Sequence, residues 1–279
     1  MGNTILEKRL LVKDIYEMKI DAPLIAKKAK AGQFVVVMAT EEGERIPLTI
    51  ADYDADKGTI TLVFMVVGTS THKLAKLEAG QELLAFIGPL GHASEIENFG
   101  SVVMVAGGVG TAPVYPIAKA LKEAGNHVIG IQGSRNKDLL FWEDMMKDAC
   151  HELIVCTDDG TYGRKALVTE PLKELLENDT DKRIKVVYAI GPAIMMKFCA
   201  KTTEPFGVKT MVSLNSIMID ATGMCGGCRV NVGGKTFFTC VDCPEFDGHL
   251  VDWDLVMERQ NVYHEHEKCS LDRYLEGAQ

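Results

Sequence analysis

The sequence predicts a multi-domain β + α/β protein: an antiparallel β-barrel, then a parallel-sheet α/β domain, then a small C-terminal cysteine-bearing domain. Three observations carry this expectation. Short runs rich in Val, Ile, Thr and Phe, separated by Gly or Asp/Lys turns, fill residues 1–97. Continuous apolar runs alternating with helix-like stretches fill residues 98–212. A Gly-rich segment with paired cysteines opens residues 213–279.

In the first region GQFVVVMA, RIPLTIADY and GTITLVFMVV read as strands. Strands this short and closely spaced favour an antiparallel barrel. STHKLAKLEAG is the one helical turn expected there, stopped by Gly80. The second region opens with SVVMVAGGVGTAPVYPIAKALKEAG: an apolar run, a Gly-rich turn, then a helix with Val114, Ile117, Ala118 and Leu121 on one face. HVIGIQG, ELIVCTDDG and IKVVYAIGP repeat the apolar run, as strands buried between helices require. DLLFWEDMMKDA and LVTEPLKELLEN supply the intervening helices of a doubly wound sheet. In the third region GCRVNVGGKTFFTC reads as a hairpin turning at Gly233-Gly234, and the charged tail from DWDLVMERQ onward as one or two helices.

Composition narrows the function classes. The net charge of −9 and the lack of any Lys/Arg run argue against a nucleic-acid partner. No stretch approaches the roughly 20 apolar residues of a membrane span. The start MGNTILEKRL has no apolar core suited to a signal peptide, so a cytoplasmic protein is expected. In that compartment the eight cysteines read as metal ligands or core thiols rather than disulfides.

Several loops can hold anions. In AGGVGTAP, Gly107, Gly108 and Gly110 stand between a buried strand and a helix. Without Cβ atoms the backbone can approach a pyrophosphate, and the helix start offers unpaired N–H groups. TDDG, with Asp158 and Gly160, and GPAIMM, with Gly191, Pro192 and Met195, also follow predicted strands; ligands of open parallel sheets bind at those strand ends. In the first region Arg45 can pair with a phosphate and Thr49 can donate a hydroxyl, while Gly68, Ser70 and Thr71 can serve a second anion. The blander alternatives are ligand-free turns and an edge charge.

Cys225, Cys228, Cys240 and Cys243 form C-x2-C-x11-C-x2-C. Two chemistries fit. Four thiolates can hold zinc tetrahedrally. Alternatively, Asp220 stands where the first cysteine of the plant-type C-x4-C-x2-C pattern lies, making Asp220, Cys225, Cys228 and Cys240 a [2Fe–2S] ligand set. Gly223, Gly226 and Gly227 would let backbone N–H groups face the sulfides. Cys150, Cys156, Cys199 and Cys269 read as structural, YHEHEKC as a solvated tail, and Trp142 and Trp253 as packing residues. Ser134 and Arg135 read either as a loop or as contacts to a 2′-phosphate.

Together these motifs resemble the ferredoxin–NADP reductase superfamily and, within it, the electron-transfer subunit of class 1B dihydroorotate dehydrogenase. The resemblance rests on Arg45, Pro47, Leu48 and Thr49 as a flavin motif, Gly68, Ser70 and Thr71 as its pyrophosphate loop, AGGVGTAP and GPAIMM as nicotinamide loops, and CVDCPEFDG around the last cluster cysteine. One aspartate with three cysteines, RIPLTIAD and the VDWD tail are more similar to the small (alpha) subunit of NADH-dependent ferredoxin:NADP⁺ oxidoreductase. The resemblance implies an oxidoreductase subunit that uses FAD, NAD(H) and a [2Fe–2S] cluster. It makes residues 1–97 a flavin barrel, 98–212 a nicotinamide domain and 213–279 a cluster domain with a helical tail. It adds Val63, Phe64, Met65, Thr111, Ala112 and Pro113 to the cofactor contacts and gives Asp220, Cys225, Cys228 and Cys240 the iron. No acid–base side chain is then expected to be indispensable, because the redox chemistry belongs to the cofactors. The implied partner is a large flavin and [4Fe–4S] subunit resembling the small chain of glutamate synthase, with ferredoxin served through an electron-bifurcating complex. The alternatives are the dihydroorotate dehydrogenase subunit itself, a stand-alone flavin reductase, and a zinc-stabilised nucleotide-binding regulator with no redox role.

Overall fold

A computed structural model of the chain describes residues 2–41, 43–242 and 244–277. Its first unit is a six-stranded antiparallel sheet of β1 (Ile5–Val12), β2 (Ile15–Asp21), β3 (Phe34–Met38), β4 (Ile46–Asp54), β5 (Thr59–Met65) and β6 (Ala85–Leu90), in the order β1-β2-β5-β4-β3-β6. A short α1 (Pro23–Ala26) follows β2, and α2 (Thr69–Ala75) follows β5. The sheet curls on itself: Thr4 pairs with Glu82, and Ile5 N donates to Gln81 O at 2.8 Å. Inside lie Ile60, Leu62 and Phe64 from β5 with Val35 and Val37 from β3. The alternate residues serve other layers, since successive strand side chains point to opposite faces. Val63 packs against the second unit, and Phe34 and Val36 pack against Cys228 and Cys240. The β1 and β2 strands are not named by the sequence pattern. β1 is an edge strand whose Leu6 and Leu10 are exposed among charged residues, which hides its alternation.

The second unit is a seven-stranded sheet. In chain order it comprises β7 (Ser101–Gly107), α3 (Thr111–Glu123), β8 (His127–Ser134), α4 (Glu143–Ala149), β9 (Glu152–Thr157), β10 (Arg164–Lys165), α5 (Thr169–Asn178), β11 (Ile184–Ile190), α6 (Ala193–Thr203) and β12 (Lys209–Ser213). All of these strands pair in parallel. The central strands β7, β8 and β11 are buried on both faces because both faces are covered. Val103, Val105, Ile131, Val187 and Ala189 pack with α5 and α6. Val102, Met104, Val128, Val186 and Tyr188 pack with α3 and α4 on the other side. Val114, Ile117, Ala118 and Leu121 of α3 are fully buried, as their spacing predicts.

The last segment forms the hairpin β13 (Arg229–Val232) and β14 (Lys235–Phe238), then β15 (Glu245–Asp247), α7 (Trp253–Gln260) and α8 (His264–Glu276). Gly233 and Gly234 have φ of +58° and +77°, the left-handed pair that a tight hairpin turn needs. β15 runs antiparallel to β12 and extends the second sheet to the order β10-β9-β8-β7-β11-β12-β15. α8 returns to the barrel, where Lys76 Nζ lies 4.7 Å from the Tyr274 ring centre.

Two buried carboxylates join the units. Glu17 of β2 binds Arg9 through two hydrogen bonds, at 2.7 and 2.8 Å, and accepts from Trp142 Nε1 at 3.0 Å. Glu245 of β15 accepts from Ser94 Oγ at 2.5 Å. Burial lifts the Glu245 carboxyl from its ordinary 4.5 to about 7. A folded-state pKa above the unfolded one means that the native state holds the extra proton between those values. Stability therefore falls as pH rises from about 4.5 to about 7, by about 3 kcal/mol in all. Glu245→Gln is expected to flatten the denaturant midpoint between about pH 5 and about pH 8 and to exceed the parent at the upper end. Parallel pH profiles for the two proteins would contradict this.

Candidate cofactor-binding site

In the second sheet the strand order reverses between β7 and β11, and a crevice opens at the carboxyl ends of neighbouring strands. Gly107 ends β7, and Gly191 follows β11. These two glycines meet so closely that a Cβ built on Gly191 would lie 3.1 Å from Gly107 Cα. A Cβ on Gly107 would strike Met195 Sδ at 2.3 Å, and one on Gly110 would strike Ile190 O at 2.1 Å. These glycines exist for close backbone contact. Gly108 differs: its φ is +55°, and nothing lies within 4 Å of the position a Cβ would take. Its bare backbone leaves room for an approaching group. The starts of α3 and α6 flank this point, and neither carries a side-chain cap. Uncapped N–H groups at two helix starts suit a pyrophosphate.

The crevice continues as one cleft of about 1120 Å³ between the barrel and the second sheet. The barrel side presents Pro47, Leu48 and Thr49 of β4, Val63, Phe64 and Met65 of β5, and Thr71 of α2. The sheet side presents Gly107, Gly108, Gly110, Ala112, Pro113, Asp158, Gly191, Pro192 and Met195. The lining is mainly apolar with a few polar groups, and the volume is at the upper end for ligand-binding clefts. Asp158 sits at the end of β9; desolvation and its neighbour Asp159 raise its carboxyl above the ordinary range.

Five expected contact residues do not line this cleft. Thr111 is buried and accepts from Gln132 Nε2 at 3.4 Å, so its hydroxyl serves the core. Ser70 Oγ donates to Glu44 Oε2 at 3.0 Å. Gly68 caps α2, and the Thr71 hydroxyl accepts from Gly68 N at 3.0 Å. Gly160 makes a turn at φ +80° against Lys165. Arg45 is exposed ahead of β4, and its charge acts on Asp220.

Other lining residues carry no local signal in the sequence. Phe34 stands opposite Thr49 across the β3–β4 pair. Ser134 and Arg135, which the sequence reads either as a loop or as 2′-phosphate contacts, line the sheet side of the cleft. The segment from Ser213 to Ser216, with Met218, Pro244 and Gln260, walls the far end. Gln260 Nε2 bonds Asn215 Oδ1 at 2.7 Å and Asn215 O at 3.2 Å, which ties α7 to that wall.

The cysteines lie directly behind this wall. Phe34 and Val36 pack with Cys228 and Cys240, and Met218 packs against the same group. Phe34 and Met218 thus touch the cleft on one side and the thiols on the other. Cys228 Sγ and Cys240 Sγ are 3.2 Å apart. Burial, then the Cys228 thiol, push the Cys240 thiol up to about 12. Asp220 lies beside Cys225: the backbone N–H of Thr222, the Cys225 thiol and the Arg45 charge hold its carboxyl below the usual range. Asp220–Cys225 and Cys228–Cys240 are thus two pairs, and among the described residues no three His, Cys, Asp or Glu side chains form a single metal-binding group. Cys243 lies outside the described residues. The donor chemistry fits iron: soft thiols and one anionic carboxylate on two adjacent loops, with Gly227 N donating to Cys225 Sγ at 3.4 Å.

Comparison with known proteins accords with this geometry. Residues 215–252 match the iron-sulfur cluster binding domain of dihydroorotate dehydrogenase B, and residues 104–201 match the oxidoreductase NAD-binding domain. The chain is 47% identical over 276 residues to a dihydroorotate dehydrogenase B (NAD(+)) electron transfer subunit homolog of Thermotoga maritima, covering 99% of this chain and 96% of that one. It is 34% identical over 224 residues to a probable subunit of the same kind from Methanocella arvoryzae, covering 80% and 81%. A solved structure of NADH-dependent reduced ferredoxin-NADP oxidoreductase, studied for flavin-based electron bifurcation, superposes with a TM-score of 0.92 at 45% identity, over 99% of this chain and 98% of that one. No helix among the described residues is long and apolar enough to cross a membrane. A ferredoxin-reductase-like barrel, an NAD-binding domain and an iron–sulfur-binding segment therefore make one oxidoreductase subunit, and the chain belongs to the family of dihydroorotate dehydrogenase B electron-transfer subunits.

Proposed function

We propose that this chain passes electrons between NAD(H), FAD and a [2Fe–2S] cluster as the small subunit of an electron-bifurcating NADH-dependent ferredoxin:NADP⁺ oxidoreductase. One observation carries the reading: Phe34 and Met218 separate a cleft large enough for flavin and nicotinamide from a cysteine pair by the thickness of a side chain. A bound flavin exchanges electrons in pairs with nicotinamide and singly with iron. The chain's own residues do the positioning. Gly108 and the starts of α3 and α6 hold the nicotinamide pyrophosphate, with Pro192 and Met195 bracing the turn. Pro47, Leu48, Thr49 and Phe64 hold the flavin against the sheet, and Thr71 orders the loop that meets its phosphates. Asp220, Cys225, Cys228 and Cys240 hold the iron. Apolar side chains between the two sites exclude water from the short route that an electron must take.

The three units are proposed to divide as 1–97, 98–212 and 213–279, with β15 of the third lending its edge to the sheet of the second. The proposed partner is a large flavin and [4Fe–4S] subunit, through which ferredoxin is served. Free thiols at all seven described cysteines support work in the reducing cytoplasm. The test is direct. Anaerobic NADH should bleach both the flavin and the iron–sulfur absorbance of the fully loaded chain. Bleaching of flavin alone would break the proposed relay. Co-purification from the native source with a dihydroorotate-binding barrel, rather than with a [4Fe–4S] flavoprotein, would reassign the complex.

A further inference from the structure

Two guanidinium groups grip the loop between Cys225 and Cys228. Arg259 Nη2, at the end of α7, donates to Gly227 O at 2.8 Å. Arg229 Nη1, at the start of β13, donates to Gly226 O at 3.1 Å. A planar trans peptide points its N–H opposite to its carbonyl, so holding one end aims the other. The peptide that Arg229 holds carries Gly227 N–H, the group that donates to Cys225 Sγ. The peptide that Arg259 holds carries Cys228 N–H. A cation on the carbonyl end also polarises the peptide and strengthens its donor end. Arg259 lies in the last turn of α7, where a positive charge favours the helix dipole. Its neighbour Gln260 anchors the cleft wall at Asn215, so one helix end braces both the thiol loop and the cleft.

We propose that Arg259 and Arg229 are positioning residues that set the reduction potential of the iron–sulfur centre, by clamping the two glycine peptides of its ligand loop and placing positive charge behind them. This rests on the ligand set proposed above. Reduction adds one negative charge, so nearby cations and N–H donors to sulfur favour the reduced form and raise the potential. Arg259 is half-buried and Arg229 exposed, so Arg259 carries the larger share and salt screens it less.

The experiment is a potentiometric titration of the full chain loaded with flavin and iron, followed by the EPR signal of the reduced cluster. Arg259→Gln and Arg229→Gln should each move the midpoint to more negative values, with the larger shift at Arg259, while Arg259→Lys should recover part of it. Raising ionic strength should shrink the Arg229→Gln shift more than the other. A merely structural contact would alter melting temperature or iron content and leave the midpoint of the loaded fraction unchanged. Wild-type midpoints in both glutamine variants at full iron content would overturn the proposal. If Arg259→Gln loads no iron while Arg259→Lys does, the clamp is supported, and the exposed Arg229→Gln variant still decides the effect on potential: an unchanged midpoint there overturns it. A parent chain that assembles no [2Fe–2S] cluster would instead remove the ligand set, and this inference with it.

Discussion

Cys240→Ser is expected to yield a chain that binds flavin and still oxidises NADH in two-electron steps but holds almost no iron. Cys240 is buried against Cys228 with their sulfurs 3.2 Å apart, behind Phe34 and Val36. Among the described residues, the neighbours that wall in this position are core side chains with no iron-binding group to replace the lost thiol, Cys228 aside. Serine oxygen is a harder and less acidic donor than thiolate, and it is shorter, so iron binding should fall by on the order of a hundredfold or more. Transfer to a one-electron protein acceptor such as cytochrome c should fall in proportion, while two-electron reduction of a small dye such as dichlorophenolindophenol directly by flavin survives. Iron analysis, visible absorbance and the two acceptor assays measure these effects separately. Full cluster absorbance in Cys240→Ser would return the ligand question to Cys243. The Asp220→Ala counterpart should loosen the cluster less, because Asp220 is on the solvent side of the loop.

Gly110→Ala should damage the other end of the relay. The added methyl group would sit 2.1 Å from Ile190 O and 2.7 Å from Ile190 C, both backbone atoms of the adjacent strand β11. No rotamer change relieves a clash with backbone, so the start of α3 must shift away from β11. Overpacking of this kind costs about 1–3 kcal/mol. The shift also pulls Gly107 and Gly108 out of register with the start of α6, where the pyrophosphate is proposed to bind. The expected result is a rise in KM for NADH of roughly tenfold to a hundredfold, with flavin and iron content unchanged. Gly108→Ala provides the contrast. Its Cβ meets no protein atom, but φ of +55° strains any other residue by about 1 kcal/mol or more. That variant should keep its fold and lose NADH affinity, because the methyl group occupies the open approach. Equal KM values in both variants and the parent would remove the turn from the nicotinamide site.

Much of this architecture is written in local pattern. The unbroken apolar runs of β7, β8 and β11 declare strands covered on both faces, because a half-exposed strand would have to alternate. The helical spacing from Val114 to Leu121 sets the buried face of α3, and two adjacent glycines specify the β13–β14 turn. The cleft-lining glycines and the paired cysteines are likewise readable, since only glycine tolerates such close backbone approach and thiols at that spacing serve few purposes. Sequence alone thus determined the three kinds of unit, their order along the chain, most of the central elements of the parallel sheet, and the chemistry each loop can offer.

Only the tertiary structure decided which of those loops meet. β15 completes the second sheet by pairing with β12, more than thirty residues upstream. Phe34, from an early barrel strand, closes over Cys228 and Cys240 near the carboxyl end. Thr111 turned into the core, and the charge of the exposed Arg45 acts on Asp220 from a distant part of the chain. Arg259 has no motif around it and is identified only by the carbonyl it holds. The physical reason is common to all of them. Periodicity reports which face of an element is buried, because that depends on residues a few positions apart. What lies against that face depends on how whole layers pack, and the packing of layers has no local signature.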